Sequence, residues 1–345
     1  MHIITNSEPV NLGGGLPYLQ PGEWLAHDSN AFEIAVRAPR GTVTVKPAGQ
    51  RIDEDENKPT LLMRSGAIGD LLMLSPCFSQ IEPVGLSCFS HHHAIFENWK
   101  AAPKLEPYPF PTSELHRYGA VVSLENTMEC DHQNHATDVF AKALFIPRPL
   151  PSYKPIYNVT DDEQVATAKW IFKGRPNVAI QCRASIPNRD YPGQLWGQVI
   201  VELEKRGWGI LLIGRKGQIP PLDTTLKSPF IRNLAEEDLS LRESVAVLSQ
   251  CDAFAGVDSS FMHFAAALDI PSVSLHGAFP WQIRTKHYPL NTALTGPGDC
   301  AGCCWHMHNG RMFPPNKPCS DKGFCVVLAG IKPERIVAKI DSLKP

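Results

Sequence analysis

The strongest constraint on the fold is an alternation that runs along most of the chain. Short apolar stretches ending in small residues are each followed by a stretch with apolar residues at helical spacing. From Thr60, LLMR reads as a strand, SGAIGD as a turn of small residues and LLMLSPCFSQI as a helix. Strand, glycine turn and helix make the repeating unit of a doubly wound α/β domain. GLSCFS (85–90) and AVVSLE (120–125) read as further buried strands, with helical patterns after them at HAIFENWK and HATDVFAKALF. Pro147, Pro149, Pro151 and Pro155 then interrupt regular structure and mark a connection near 147–160.

The second half repeats the alternation. NVAIQC (177–182), WGILLIG (208–214), IRNLA, DAFAG and PSVSLHG read as strands. GQLWGQVIVELEKRG, LRESVAVLSQC and DSSFMHFAAALD read as helices between them, and KPERIVAKIDSL closes the chain as a helix with Pro333 in its first turn. Two such runs predict an α/β chain of two facing Rossmann-like domains. The expected division is a short β-rich or irregular extension over 1–58, a first domain over 59–150 and a second over 151–345. In the extension, FEIAVRA and GTVTVK flank a PRG turn as two short strands. Ligands of such folds lie beyond the carboxyl ends of the strands, here in the crevice between the halves.

Composition narrows the classes. The 345 residues suffice for two domains, and 33 Lys+Arg against 35 Asp+Glu, scattered along the chain, give a net charge of −2. That is not the footprint of a nucleic-acid binder. A hydrophobic share of 43% with 20% charged residues is that of a globular protein. No apolar run reaches the roughly 18 residues of a membrane span, and MHIITNSEPVNLGGG lacks the pattern of a signal peptide. A cytoplasmic, reducing location is the expectation.

Three segments fall where this topology places a ligand. Arg64-Ser65-Gly66-Ala67-Ile68-Gly69-Asp70 joins the first strand to the first helix. Its glycines admit a substrate close to backbone N–H groups, and Asp70 stands at the helix start, where an acid also serves as a plain cap. Asp258-Ser259-Ser260-Phe261-Met262-His263 follows DAFAG. Its serines and first-turn N–H groups form an anion seat for a diphosphate, with an N-cap Asp and a satisfied core His as the bland alternative. The loop segment from Gln181 to Pro192 carries Arg183, Ser185 and Arg189. Arginines there offer paired donors to phosphate, or else are a solvated surface pair.

In this order and spacing, LLMRSGAIGDLLMLSP, QCRASIPNRDYP and GVDSSFMHFAAALDIPSVSLHG resemble the ADP-heptose:lipopolysaccharide heptosyltransferase family of glycosyltransferases. The resemblance runs from about Thr60 to about Gly277 and more loosely beyond. It implies a GT-B architecture and inverting transfer of a sugar from a nucleotide-diphosphate donor to a glycan or lipopolysaccharide-core acceptor, with no catalytic metal or cofactor. It implies that Asp70 is the general base and Arg189 the holder of the diphosphate. Asp258, Ser259, Ser260 and His263 would line the donor's phosphate and ribose, with Gly69, Arg183 and Ser185 on the same side. Glu125 and Asn126 at a strand end, and His135 with Asp138, lie on the acceptor side as candidate acceptor contacts, with solvated loop positions as the alternative for each.

There are departures: Ser260 where the family has glycine, Phe261 after it, Tyr191 where Trp is usual before Pro192, no carboxylate after Gly214-Arg215-Lys216, and the 58 leading residues. The implied partners are a nucleotide sugar and a glycan or lipid-linked saccharide, compatible with peripheral membrane contact. The other readings are a nucleotide-sugar epimerase or hydrolase, and a silent binding protein that uses its N-terminal extension.

Five of the ten cysteines, Cys77, Cys88, Cys130, Cys182 and Cys251, are solitary. The other five crowd into the Cys-rich loop 300–325, where Cys300, Cys303, Cys319 and Cys325 have the makings of a structural zinc knuckle, with Cys304, His306 and His308 as spare ligands. A bare or disulfide-linked loop is the alternative. His91, His92 and His93 cannot all face one ion and are expected at the surface.

Overall fold

The computed structural model describes residues 2–6, 10–11, 18–19, 21–26, 43–47, 58–81, 84–128, 131, 133–220, 228–303, 319, 322 and 324–345. These form two compact units, one of Met1–Leu71, Cys77–Thr127 and Phe140–Arg148, the other of Leu72–Pro76, Met128–Val139 and Pro149–Pro345. Each is an α/β unit with a parallel central sheet. No helix among the described residues is long and apolar enough to cross a membrane.

In the first unit, β1 (His2–Asn6) pairs antiparallel with both β4 (Gly22–Ala26) and β5 (Val43–Pro47), while β2 (Val10–Asn11) and β3 (Tyr18–Leu19) form a small ladder. The strand expected over residues 32–38 lies outside the described residues. Five further strands follow: β6 (Thr60–Met63), β7 (Gly85–Ser87), β8 (Lys104–Glu106), β9 (Phe110–Pro111) and β10 (Ala120–Ser123). Of these, β9 adds to the antiparallel sheet beside β4, and the rest form a parallel sheet in the order β10-β6-β7-β8. Helix α1 (Ile68–Leu74) stops at Pro76 and continues as a 3-10 helix, Ser75–Gln80, because proline removes a donor from the α ladder. The helix expected at HAIFENWK is instead a 3-10 stretch, Ser90–Ile95, followed by Asn98 in left-handed backbone. It leaves His91 exposed but buries His92 against Phe89, so the histidine run does not lie wholly at the surface.

Helix α2 (Ala136–Ala143) opens from the segment Met128–Val139. In the second unit α3 (Asp161–Thr167) and α5 (Leu241–Leu248) each begin with a reciprocal capping box, Thr160 with Glu163 and Ser240 with Glu243. Between and after them come β11 (Asn177–Gln181), α4 (Gly193–Lys205), β12 (Gly209–Leu212), β13 (Ile231–Asn233), β14 (Ala253–Val257), α6 (Ser260–Ala267), β15 (Ser272–His276), β16 (Asn291–Thr295), α7 (Val326–Ala329) and α8 (Pro333–Asp341). The sheet order is β13-β12-β11-β14-β15-β16, all parallel. Its core holds Val178, Ile180, Ile210 and Leu212 with Trp196 and Trp208. Both indoles are buried, and each N–H finds an acceptor, Trp196 on the Cys182 carbonyl and Trp208 on Asp341. Tyr191, the aromatic before Pro192, stands edge-on to Trp196 and donates to the Ile331 carbonyl at 2.6 Å, so it anchors the core.

Both parallel sheets reverse direction of winding beside their first strand: between β6 and β10 in one unit, and between β11 and β14 in the other. Such switch points are where open α/β sheets bind ligands, outside the carboxyl ends of the strands.

Candidate active site

At the first switch point the chain leaves β6 as Arg64 and β10 as Leu124 and Glu125. Arg64 is 1% exposed, an unusual place for a guanidinium unless it is paired. Its Nη2 donates to Asp70 Oδ2 at 2.8 Å, Nη1 donates to the Leu124 carbonyl at 2.9 Å, and Glu125 Oε2 lies 3.8 Å from Nη1. The Phe140 ring lies 5.6 Å from the guanidinium carbon. Gly66 permits this fold of the turn: a Cβ there would stand 2.5 Å from Arg64 Nε and 2.7 Å from Asp70 Oδ2. Asp70 is thus in a mostly buried carboxylate–guanidinium pair in the first turn of α1, with Gly69 preceding it. Glu125 also accepts the Ser65 N–H, and Asn126 after it is exposed and left-handed. The two candidate acceptor contacts therefore differ, Glu125 tied into the Arg64 turn and Asn126 projecting from it.

At the second switch point Gln181, the last residue of β11, and Ser259, following β14, join by a hydrogen bond from the serine hydroxyl to Gln181 Oε1. Ser259 is the N-cap of α6, yet its side chain makes no cap bond. Arg189 reaches across from the 182–192 loop. Its Nη1 donates to the Asp258 carbonyl at 3.2 Å and lies 3.7 Å from Asp258 Oδ2, and its Nη2 donates to Ser185 Oγ at 2.6 Å. The structure therefore brings Ser185, Arg189, Asp258 and Ser259 together. Ser260 opens α6 at half burial. Arg183 lies apart from them, half-buried and 3.7 Å from Asp190. His263 is buried one turn into α6 and shares a 2.7 Å hydrogen bond with the Tyr288 hydroxyl.

Arg284, not singled out in the sequence, completes this centre. It is 2% exposed, stacks 5.3 Å from the Phe279 ring as Arg189 does at 5.5 Å, and donates to Met128 Sδ. Burial pushes the Asp258 carboxyl up, but Arg284 and then Arg189 outweigh it, aided by His276 and His263, and hold it well below the usual carboxylate range. His276 is pushed down to about 4 by burial first, with Asp258 opposing and Arg284 reinforcing the fall. Arg284 Nε and Asp258 Oδ2 are buried without a hydrogen-bond partner among the described residues. The loop after β15 was the available signal for Arg284, since it too leaves the carboxyl end of a strand.

Two groups of metal-ligand residues stand outside these centres. His135, Asp138 and His287 bring three ligand atoms within 4.8 Å of one another. His135 Nε2 donates to the Arg284 carbonyl at 3.0 Å, and Asp138 accepts from Tyr153 at 2.6 Å and has the Lys286 ammonium 3.4 Å away. That carboxylate is charge-balanced by a side-chain cation. In the Cys-rich loop, Cys319 and Cys325 are buried and Cys300 and Cys303 half-buried. Burial raises the Cys325 thiol, with the thiols of Cys303 and Cys319 adding to it. Cys304, His306 and His308 lie outside the described residues, as does Cys130; the other solitary cysteines, Cys77, Cys88, Cys182 and Cys251, are buried.

The chain is similar in sequence and in fold to known heptosyltransferases. Lipooligosaccharide heptosyltransferase 2 of Haemophilus influenzae is 24% identical over 208 residues, 56% of this chain and 56% of that protein. Lipopolysaccharide heptosyltransferase 1 of Pseudomonas aeruginosa is 28% identical over 184 residues, 53% of this chain and 46% of that one. The chain spans about half the length of the curated relatives it matches. Among solved structures, E. coli ADP-heptose LPS heptosyltransferase II superposes with a TM-score of 0.64 at 16% identity, covering 83% of this chain and 98% of that one. The dodecameric iron-containing heptosyltransferase TibC, solved with ADP-D-β-D-heptose, superposes with a TM-score of 0.60 at 14% identity, covering 99% and 90%. The sequence model of glycosyltransferase family 9 (heptosyltransferase) matches residues 126–303, just over half of the chain and the stretch that carries Arg189, Asp258 and Arg284. The chain belongs to glycosyltransferase family 9, the heptosyltransferases.

Proposed function

We propose that the protein is an inverting glycosyltransferase that moves a heptose, or a sugar like it, from an ADP-type nucleotide-diphosphate donor to a glycan or lipopolysaccharide-core acceptor. The observation that carries this reading is the buried Arg189–Asp258–Arg284 centre at a switch point, inside the family match. In the proposed step Asp70 takes the proton of the acceptor hydroxyl, whose oxygen attacks the anomeric carbon. The bond from that carbon to the diphosphate oxygen breaks, and the nucleoside diphosphate leaves with the electron pair. Arg189 and Arg284 supply positive charge where the leaving group becomes more anionic, which is the role a preorganised cation plays best in a dry site. Ser185, Ser259, Ser260 and His263 contribute polar groups to the donor seat, and Gly69 admits the substrate to the Asp70 turn. Arg183, held by Asp190, is assigned to its rim. Asn126 is assigned to the acceptor.

The reaction is proposed to need no catalytic metal. Cys300, Cys303, Cys319 and Cys325 are proposed instead to hold a structural ion, for which four sulfurs favour zinc or iron. The proposed location is the cytoplasm, where the buried thiols of Cys182 and Cys251 keep their reduced form, with peripheral membrane contact through a lipid-linked acceptor. The test is product analysis by NMR with ADP-D-β-D-heptose and a heptose-free core acceptor, with and without chelator, on wild type and Asp70→Asn. Inverted product from wild type and none from the variant is expected. Donor consumption without acceptor would favour a hydrolase, and a product of retained configuration would refute inversion.

A further inference from the structure

The Asp70 turn contains two carboxylates and one guanidinium, all largely removed from water. Arg64 is the hub. One face of its fork holds Asp70 Oδ2 at 2.8 Å, and the other approaches Glu125 Oε2 at 3.8 Å. Glu125 is further fixed because it accepts the N–H of Ser65, the residue next to the hub. Each group comes from a different element: Arg64 from the end of β6, Asp70 from α1, Glu125 from the end of β10.

A base paired with a buried arginine faces a conflict. The pair holds the carboxylate still, yet a cation at hydrogen-bond distance stabilises its ionised form and so weakens it as a proton acceptor. A second carboxylate on the far side of the same cation relieves that conflict without loosening the grip. We propose that Arg64 and Glu125 are positioning residues for Asp70, Arg64 fixing one of its oxygens and Glu125 offsetting the guanidinium's charge so that Asp70 remains an effective base. This rests on the reading of Asp70 as the base, and it gives Glu125 a role in place of acceptor contact. In this turn Arg64 pairs with Asp70 directly and Glu125 faces the same guanidinium; Phe140 beneath the guanidinium carries no charge.

The experiment is the pH dependence of kcat for wild type, Glu125→Gln, Arg64→Lys and Asp70→Asn, using ADP-D-β-D-heptose and a heptose-free lipopolysaccharide-core acceptor, with the acceptor KM recorded at each pH. Glutamine keeps an oxygen for the Ser65 N–H and the same volume, and removes only the charge, so this variant is expected to fold with a wild-type circular dichroism spectrum. Removing a negative charge near Asp70 moves the acid limb of the profile to lower pH, by a few tenths to about one pH unit. The plateau kcat falls severalfold, because the base is weaker, while the acceptor KM holds. Arg64→Lys keeps the charge but loses the fork, so kcat falls with the limb in place. An unmoved limb in Glu125→Gln overturns the inference, whether or not the acceptor KM rises; a rise would return Glu125 to acceptor contact. Wild-type turnover by Asp70→Asn would instead overturn the reading of Asp70 itself.

Discussion

Gly66→Ala adds one methyl group to a turn that has no room for it. The new Cβ would lie 2.5 Å from Arg64 Nε, 3.0 Å from Arg64 Cζ and 2.7 Å from Asp70 Oδ2. Ordinary contact between such atoms is about 3.5 Å, so the guanidinium must retreat by about 1 Å. It is poorly placed to do so, being 1% exposed and tied at Nη1 to the Leu124 carbonyl at 2.9 Å. Retreat opens the 2.8 Å bond to Asp70, and a hydrogen bond between charged groups contributes about 1.5–3 kcal/mol. Alanine stiffens the unfolded chain and returns about 0.4–1 kcal/mol, which leaves a net loss of about 1–2 kcal/mol. The rate should fall further than the stability, because a catalytic group misplaced by about 1 Å can cost about 100-fold. Initial rates and urea midpoints of Gly66→Ala check both, beside Ala67→Ser at the exposed neighbouring position, where both quantities should stay near wild type. Wild-type kcat and midpoint in Gly66→Ala would refute the claim that this glycine exists for the Arg64–Asp70 pair.

Arg189→Ala should weaken ADP binding about 10- to 100-fold by calorimetry, the value of one charged hydrogen bond; unchanged affinity would remove Arg189 from the diphosphate seat. His276 is held down to about 4 by burial, against about 6.5 in the unfolded chain, so between those values the unfolded chain takes up a proton that the folded one refuses. Stability should therefore drop as pH falls from about 6.5 to about 4, by about 3 kcal/mol from this group alone. His135 and His287, both shifted down mainly by burial, act in the same direction, so His276→Gln should reduce the slope of the urea midpoint against pH without abolishing it. Asp258 contributes in a separate, more acid window: its depressed carboxyl stabilises the fold above the unfolded carboxylate range and loses that contribution as pH falls below it. Purified protein should carry about one zinc or iron per chain by elemental analysis, and Cys300→Ser with Cys303→Ser should remove it and lower the thermal midpoint; a metal-free wild type with the same midpoint would refute the knuckle.

Much of the architecture was legible because period and turn chemistry agreed. Strands β6, β11, β12, β14 and β15 are short buried runs between helical patterns, and Gly207 closes α4 in the left-handed backbone expected of a helix-ending glycine. Elements that the sequence reading passed over lacked an apolar run. Strand β16 is NTALT, with three polar residues in five, and β8 is KLE. Helix α3 did carry a signal, the T-x-x-E of its capping box, but it followed a proline-rich connection that masked it. Among site residues, Arg189 and Asp258 stood in recognisable strand-end loops. Arg64 and Arg284 did not declare themselves, since a fully buried arginine is visible only when its partners are known, and Arg284's partners lie 26 and 156 residues away at Asp258 and Met128.

The two switch points also show why local motif alone does not say which aspartate does chemistry. GAIGD places an aspartate in the helix turn after a central strand and GVDSS one directly after such a strand, and in both an arginine from the strand-end region, largely removed from water, reaches it. The charge count separates them. Asp258 feels the charge of two arginines, Arg284 and Arg189, which outweigh its burial and hold its carboxyl well below the usual carboxylate range. Asp70 shares a single arginine with Glu125, so the one positive and one negative charge that face it offset each other. Under the proposed reaction the two aspartates therefore take opposite roles, one organising cations for a leaving diphosphate and the other receiving a proton. That difference arises from Glu125 and Arg284, residues 55 and 26 positions from the aspartates they tune.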